Sequence, residues 1–160
     1  MLHINIICVG KLKERYLQDA ISEYSKRLSK YCIFNITELP DEKVPDNINE
    51  SIANIIKDKE AEKIISHIEK NSYVLTLDLK GKQFTSEEFS EKIENISLNS
   101  SSNITFIIGG TLGLSEKVLK CSNELICFSK MTFPHQLIRV FLVEQLFRAF
   151  KISNNETYHR

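Results

Sequence analysis

The stretch that joins the last apolar run of the chain to its last helical pattern reads Phe128-Ser129-Lys130-Met131-Thr132-Phe133-Pro134-His135-Gln136-Leu137-Ile138-Arg139. Pro134 suits the first position of a helix, because the amide hydrogen that proline lacks would have no partner there. The hydroxyl of Thr132, just upstream, is placed to cap the same helix. These features predict a loop between a strand and a helix. Polar side chains on both sides of the proline make it the place where we expect the chemistry.

The same change from an apolar, β-branched run to a helical pattern occurs four more times upstream. We predict strands at residues 2–9, 33–39, 73–79, 104–108 and 124–128, and helices at 14–30, 49–69, 85–98, 114–121 and 134–151. Five such units in succession indicate an α/β fold with a mostly parallel sheet and helices on both faces. Ligands of such sheets bind beyond the carboxyl ends of the strands, so the loops that follow the strands should hold the site.

Length and composition restrict the class of protein. The chain has 160 residues, of which 42% are hydrophobic and 26% charged, and this ordinary globular composition predicts one domain over residues 1–160. No apolar run approaches the roughly 20 residues of a membrane span. The N-terminus is typical of a buried strand rather than of a signal peptide. We therefore expect a cytoplasmic protein with no membrane partner.

The cysteines and histidines lack the spacing of metal ligands. No two of the four cysteines form a C-x-x-C pair, and the four histidines show no H-E-x-x-H pattern. The sequence therefore predicts no metal site. In the cytoplasm such cysteines are expected to be buried free thiols; they are Cys8, Cys32, Cys121 and Cys127.

Charge is balanced overall but is distributed unevenly. The formal net charge is zero, yet residues 1–30 and 128–160 together hold 11 Lys/Arg against 5 Asp/Glu. Basic ends are compatible with a polyanionic partner such as a nucleic acid. A solvated charge pattern explains the same distribution, since nucleic-acid binders are usually basic overall.

Three loops after predicted strands carry groups that could meet a ligand. Residues 10–16 present three cations and an aromatic ring, which suit phosphates or form a solvated first helical turn. Asp78, in a loop that ends in a turn at Gly81, could accept from a ribose hydroxyl, although acidic residues are common near strand ends. Residues 109–113 contain three glycines, which let a ligand approach the backbone or merely form a tight turn.

The last predicted helix is apolar in nearly every direction. His135 and Arg139 share one face, and charged residues occupy the opposite one. One sheet covers only part of such a helix, so we expect a second copy of the chain to bury the rest, the alternative being a central helix within the monomer. The tail from Ser153 to Arg160 has the composition of a disordered terminus, but its final Tyr-His-Arg suits contact with a nucleobase.

Several of these segments, in order, resemble the RlmH family of SPOUT methyltransferases along the whole chain. They are Val9-Gly10-Lys11-Leu12-Lys13, Pro40-Asp41-Glu42-Lys43, Thr76-Leu77-Asp78, Ile108-Gly109-Gly110, the run from Phe128 to His135, Phe147-Arg148-Ala149-Phe150 and Tyr158-His159-Arg160. The resemblance implies a C-terminal trefoil knot, which general topology rules would not predict. It also implies a homodimer that transfers a methyl group from S-adenosyl-L-methionine to N3 of a pseudouridine in 23S ribosomal RNA.

The resemblance also assigns site residues. The S-adenosylmethionine site would be formed by Leu77, Gly109, Phe128, Ser129, Lys130, Met131, Thr132 and Phe133. The catalytic, substrate-side residues would be Arg148, Tyr158, His159 and Arg160, with the tail reaching over the partner subunit's cofactor site. N3 of the base keeps its proton at neutral pH, so transfer needs a proton acceptor and stabilisation of the developing anion. We expect His159 to be the proton acceptor or an orienting group, and the arginines to contact anions and phosphates.

Two alternatives come from other classes. A Rossmann-type oxidoreductase would need a glycine fingerprint after the first strand, which Val9-Gly10-Lys11-Leu12-Lys13 lacks. A non-catalytic ribosome-binding protein with a methyltransferase fold stays open, because ligand-compatible loops do not demonstrate turnover. A neutral chain attracts RNA weakly at long range, so we expect it to act on the assembled ribosome rather than on naked RNA.

Overall fold

The computed structural model describes residues 1–159 and contains one five-stranded sheet in which every pairing is parallel. The strands are β1 (His3–Val9), β2 (Ile33–Leu39), β3 (Tyr73–Lys82), β4 (Asn103–Ile108) and β5 (Glu124–Ile126). The helices are α1 (Arg15–Leu28), α2 (Glu50–Ser66), α3 (Ser86–Asn99), α4 (Glu116–Cys121) and α5 (His135–Ser153). The strand order is β2-β1-β4-β3-β5. The predicted α/β fold with a parallel sheet is confirmed.

Two apolar cores lie on the two faces of the sheet. The larger one joins alternate residues of the strands, such as Ile4, Ile6 and Phe106, to α1, α3 and α5. The smaller one joins the opposite residues, such as Ile7 and Ile107, to α2 and α4. Because successive strand side chains point to opposite faces, both faces of a central parallel strand must be apolar, which is the continuous pattern read from the sequence. Helices therefore cover both faces, as predicted.

The third strand runs further than predicted and shows why residue 81 is glycine. β3 continues to Lys82, and β5 pairs with it at both Leu77 and Lys82 through Ile126. A Cβ atom at Gly81 would lie 2.5 Å from the backbone carbon of Ile126. Gly81 is therefore required by a close approach of two strands, and the predicted turn at this position is wrong.

The start of α5 also differs from the prediction. The helix begins at His135, and Pro134 occupies the N-cap position with extended backbone (φ −55°, ψ 136°). No side chain among the described residues caps this helix, so the predicted capping role of Thr132 is wrong. The carbonyl oxygen of Pro134 instead accepts from the amides of Leu137 and Ile138, both at 3.0 Å.

The predicted disorder of the tail is wrong for the part that the structure describes. α5 extends to Ser153, and a turn at Asn155 (φ 54°) returns the chain onto the helix. Tyr158 packs its ring edge-on against Phe147, with ring centroids 4.9 Å apart. Arg160, one of the predicted site residues, lies outside the described residues.

α5 is largely buried within its own chain. It packs against α1 and α3, and Leu142, Val143 and Leu146 are fully buried. Phe141 keeps 38% of its surface exposed. The alternative of a central helix within the monomer therefore explains most of the apolar character of α5, and Phe141 stays partly exposed.

Candidate functional site

A cavity of about 400 Å³ opens at the carboxyl edge of the sheet, within the size range of small-molecule sites. It lies among the ends of β3, β4 and β5 and the first turn of α5, where parallel sheets bind ligands. Its lining consists of Leu77, Asp78, Leu79, Lys80, Ile108, Gly109, Gly110, Gly113, Leu114, Ile126, Cys127, Phe128, Ser129, Met131, Thr132, Phe133, His135 and Ile138. The walls are mainly apolar, and the polar groups come from the loops.

The structure brings together nearly all of the residues predicted to hold S-adenosylmethionine. Leu77, Gly109, Phe128, Ser129, Met131, Thr132 and Phe133 all line the cavity, whereas Lys130 is exposed and does not. Ile138 also lines the cavity. Sequence analysis missed it because an apolar helix residue is expected in the core. Asp78 lies in the lining as well, next to Leu77.

The glycine loop after β4 forms one wall of the cavity. The amide of Gly113 donates to the carbonyl oxygen of Gly110 at 3.1 Å, and Gly113 has φ +82°. A Cβ atom at Gly109 would lie 2.8 Å from Cγ of Leu114. The geometry of the tight turn is therefore enough to require glycine here. The same turn leaves backbone atoms facing the cavity.

The loop after β5 forms the opposite wall and is held by its own hydrogen bonds. The Cys127 thiol donates to the carbonyl oxygen of Ser129 at 2.9 Å, and the Ser129 hydroxyl accepts from the amide of Met131 at 3.0 Å. Met131 is 73% exposed at the mouth of the cavity. Internal bonds of this kind fix the loop before any ligand binds.

A histidine and a buried arginine connect this cavity to the first strand. Burial of His135 lowers its pKa, and the positive charge of Arg139 lowers it further, whereas the negative charge of Asp41 raises it. His135 is therefore neutral at neutral pH. The guanidinium of Arg139 is only 1% exposed and donates to Glu38 (3.0 Å), to the Val9 carbonyl (3.0 Å) and to the Gly10 carbonyl (2.8 Å).

The predicted substrate-side residues form a separate network along the last turns of α5. Arg148 donates to Glu144 at 2.7 Å, and the Tyr158 hydroxyl donates to the same carboxylate oxygen at 2.9 Å. The Glu144 carboxylate raises the pKa of Arg148, and burial, followed by Glu144, raises the pKa of Tyr158 to about 12. His159 lies between Arg148 and Glu87. Sequence analysis missed Glu87 and Glu144, because acidic residues on exposed helix faces are common.

The cavity and this network do not share residues within one chain. None of Arg148, Tyr158 and His159 belongs to the cavity lining. A second cavity of about 330 Å³ adjoins the first and shares five residues with it, including Phe128 and Phe133. Its remaining lining comes from the start of α3 and from α5, including Ser86 and Gln145.

Other sequence-based expectations can be compared with the same structure. Cys8, Cys32 and Cys127 are buried and free, while Cys121 is free but exposed, so its predicted burial is wrong. Within residues 1–159, no group of three or more His, Cys, Asp or Glu side chains is arranged to hold a metal ion. No helix in this range is long and apolar enough to cross a membrane.

Comparison with known proteins decides the family. A family model described as "Predicted SPOUT methyltransferase" matches residues 2–159. The chain belongs to the SPOUT methyltransferase family. This membership identifies it as a methyltransferase and excludes the Rossmann-type oxidoreductase alternative.

Relatives within the family match over their full length. The chain is 62% identical to a ribosomal RNA large subunit methyltransferase H of Clostridium botulinum, over 99% of this chain and 100% of the relative. It is 57% identical, with the same coverage, to proteins of that name from Clostridium perfringens and Clostridium acetobutylicum. The resemblance to the RlmH family found in the sequence is confirmed.

A solved structure supports the fold alone. The chain aligns with a probable methylase family protein from Haemophilus influenzae with a TM-score of 0.53 and 13% identity. The alignment covers 98% of this chain and 70% of the other. At this low identity the alignment supports a shared fold, and it carries no argument about shared ligands or substrates.

Proposed function

We propose that this 160-residue domain transfers a methyl group from S-adenosyl-L-methionine to N3 of a pseudouridine in 23S ribosomal RNA, as a cytoplasmic homodimer. The observation that carries the proposal is the cavity at the carboxyl edge of the sheet, which gathers seven of the eight positions expected to bind the methyl donor. The names of the full-length relatives support ribosomal RNA of the large subunit as the substrate.

The cavity fits an adenosyl ligand in shape and in chemistry. Apolar walls from Leu77, Ile126 and Phe128 suit an adenine ring, and the backbone edges of the turn at Gly109 and Gly110 suit its hydrogen-bonding groups. The carboxylate of Asp78 and the hydroxyl of Thr132 suit ribose hydroxyls or the amino group of the methionine part. Lys130 is exposed and lies outside the lining, so the fit does not depend on it.

When bound, S-adenosylmethionine supplies an electrophilic methyl group whose bond to sulfur breaks, with its electron pair going to sulfur, as N3 forms its new bond to carbon. The protein has to remove the N3 proton and to hold the base in line with that methyl group. His159 is the proposed proton acceptor. Arg148 and Arg160 are proposed to stabilise the developing negative charge and to contact phosphates, and Tyr158 to stack against a base.

The separation of the cavity from the tail supports a site shared between two chains. Tyr158 and His159 pack on α5 and α3 of their own chain, away from the lining of their own cavity. We place the tail of one protomer over the cavity of its partner. The 38% exposed ring of Phe141, beside Phe133 at a centroid distance of 5.4 Å, provides an apolar patch for that contact.

A trefoil knot at the C-terminal end is part of the same proposal. After β5 the chain passes beside the far end of β3, where the amide of Cys127 donates to the carbonyl oxygen of Lys82 at 2.9 Å. It then forms the cavity wall and enters α5. Residues 78–81 bulge out of the β3–β5 pairing, and this is where a knotted chain would thread.

The deciding experiment offers ribosomes from cells that lack this enzyme to the purified protein with tritiated S-adenosylmethionine. Nuclease digestion and mass spectrometry then locate the label. We expect label on N3 of a pseudouridine in 23S RNA, and more on assembled ribosomes than on free ribosomal RNA. Cofactor binding by a dimer without any label would instead favour the non-catalytic ribosome-binding protein.

A matched pair of variants tests the cavity itself. Met131, 73% exposed at its mouth, and Leu98, 74% exposed on α3, are equally accessible apolar side chains. Met131→Asp should weaken the binding of S-adenosylmethionine roughly tenfold, because part of a methionine side chain's burial, worth about 1.5 kcal/mol, is lost. Leu98→Asp should leave the affinity unchanged in isothermal titration calorimetry. Equal affinities for both variants would place the cofactor elsewhere.

A further inference from the structure

The imidazole of His159 lies between a carboxylate and a guanidinium. Its Nε2 atom is 2.7 Å from Oε1 of Glu87, and its Nδ1 atom is 3.2 Å from Nη1 of Arg148. The side chain of His159 is 27% exposed, so both contacts form at a partly covered site. Within residues 1–159, each ring nitrogen therefore has one protein partner, and the two partners differ in what they can do.

These partners determine which nitrogen of a neutral His159 carries the proton. An arginine side chain can only donate, so Nδ1 must accept from Arg148. The carboxylate of Glu87 can only accept, so Nε2 must hold the hydrogen and donate it. The lone pair of Nδ1 therefore faces the same guanidinium that is proposed to meet the substrate. Nδ1 is the nitrogen that would serve as proton acceptor, once the guanidinium of Arg148 has turned from its lone pair to the substrate.

Glu87 is held on a rigid element. It lies in the first turn of α3, and the start of that helix is fixed by reciprocal hydrogen bonds between Thr85 and Glu88 at 3.0 and 3.1 Å. The hydrogen bond from His159, followed by one from the Glu87 backbone, lowers the pKa of the Glu87 carboxyl. The group is therefore ionised at neutral pH and available as an acceptor.

The geometry points to Glu87 as a positioning residue for His159. Its carboxylate holds the Nε2 hydrogen, which turns Nδ1 toward Arg148 and the substrate side and keeps the imidazole in one tautomer. Carboxylates orient catalytic histidines in this way in other enzymes. The inference rests on the proposed function for the role of His159, and it assigns the group that orients it.

A simpler role would also place an acidic residue here. Negative side chains in the first turn of a helix stabilise it through the helix dipole, whatever lies opposite. That role predicts an effect of Glu87 on stability and none on the hydrogen bond of the His159 Nε2 proton. A spectroscopic readout on the imidazole therefore separates the two roles.

The first test uses the full-length protein with ¹⁵N-labelled histidine. Long-range ¹H–¹⁵N spectra at a pH where histidines are neutral report which ring nitrogen is protonated, and His159→Gln assigns the signal. We expect the Nε2–H tautomer in the wild type and in the control Glu91→Gln, an exposed glutamate of the same helix. Because Arg148 still donates to Nδ1, Glu87→Ala should keep the Nε2–H form but should make its Nε2 proton exchange rapidly with water, and Glu87→Gln, which keeps an acceptor oxygen, should retain most of the slow exchange. An Nε2 proton that exchanges as slowly in Glu87→Ala as in the wild type would overturn the inference.

The second test measures methyl transfer to ribosomes. Glu87→Ala should lower kcat about tenfold, the equivalent of one well-oriented hydrogen bond, and Glu87→Gln should recover part of it. The KM for S-adenosylmethionine should not change, because Glu87 does not line the cofactor cavity. Loss of the hydrogen bond on the Nε2 proton with a normal kcat would overturn the positioning role. If the wild type transfers no methyl group to any ribosome, the proposed function fails instead, and the spectra still decide whether Glu87 orients His159.

Discussion

The buried ion pair of Arg139 should be a major source of stability, and Arg139→Met tests it by replacing the guanidinium with an unbranched apolar side chain. The substitution removes three donated hydrogen bonds, to the Glu38 carboxylate and to the carbonyl oxygens of Val9 and Gly10. These bonds join α5 to the ends of β1 and β2. The perturbation therefore acts where the last helix meets the two strands at one edge of the sheet.

The magnitude follows from opposing terms. Hydrogen bonds to charged groups contribute roughly 1.5–3 kcal/mol each, so three of them set a gross loss of about 4.5–9 kcal/mol. The variant no longer has to desolvate a guanidinium when it folds, which offsets several kcal/mol of that loss. Nε of Arg139 has no hydrogen-bond partner within residues 1–159, so removing it also relieves a cost, and the Glu38 side chain, 35% exposed, can be resolvated. We expect a net loss of about 2–4 kcal/mol.

Urea unfolding followed by circular dichroism measures this loss. Glu38→Gln and the double variant complete a cycle, and the coupling between the two sites should be at least about 1 kcal/mol because the pair is in direct contact. Hydrogen exchange adds a local readout, since the amide of Leu12 donates to the same Glu38 oxygen at 2.8 Å. Its protection should fall in both single variants. A loss below about 1 kcal/mol in Arg139→Met, the typical value of one ordinary hydrogen bond, would refute the reasoning.

Three further predictions concern single positions. Gly81→Ala should destabilise the fold by about 1–3 kcal/mol or more, because the added Cβ would meet the backbone of Ile126. Equal melting temperatures in calorimetry for this variant and for the exposed control Lys80→Ala would contradict the prediction. Tyr158→Phe should cost about 0.5–1.5 kcal/mol in chemical denaturation through the lost bond to Glu144, and equal stability would show that this bond contributes nothing. Burial lowers the pKa of His135 in the folded state, so the fold favours the neutral imidazole. The stability from neutral His135 is present above the unfolded-state pKa of about 6.5 and is lost as the pH falls through the folded-state pKa. His135→Gln should flatten the pH dependence of the urea midpoint in that acid range, and an unaltered slope would count against the assignment.

The secondary structure could be predicted because its signals are local. Every helix and strand of the structure overlaps a predicted one, since apolar periodicity depends only on neighbouring residues. The strand order β2-β1-β4-β3-β5 could not be predicted, because the sequence of a strand does not specify which strands pair with it. The same holds for Gly81, whose requirement for glycine comes from Ile126, far along the chain.

The candidate site was predictable in part for similar reasons. Strand ends could be located, and the loop containing Phe128 and Met131 was expected to hold ligand-binding groups because it follows a strand. The individual assignments came from family resemblance. Glu87 could not be found, since its contact with His159 joins residues 72 positions apart and its local sequence is that of an ordinary helix start.

The place of α5 in the larger core has a consequence for how the chain is made. Residues such as Val143 and Leu146, near the C-terminus, complete the apolar layer that covers Ile4 and Ile6 at the N-terminus. β1 also lacks one of its two neighbours until β4, about a hundred residues later, has been synthesised. Pairing over such distances is slow, because a long loop must close before its contacts form. A nascent chain therefore exposes its first strands through most of translation, and truncation before α5 should yield an aggregation-prone or chaperone-bound product rather than a smaller folded protein.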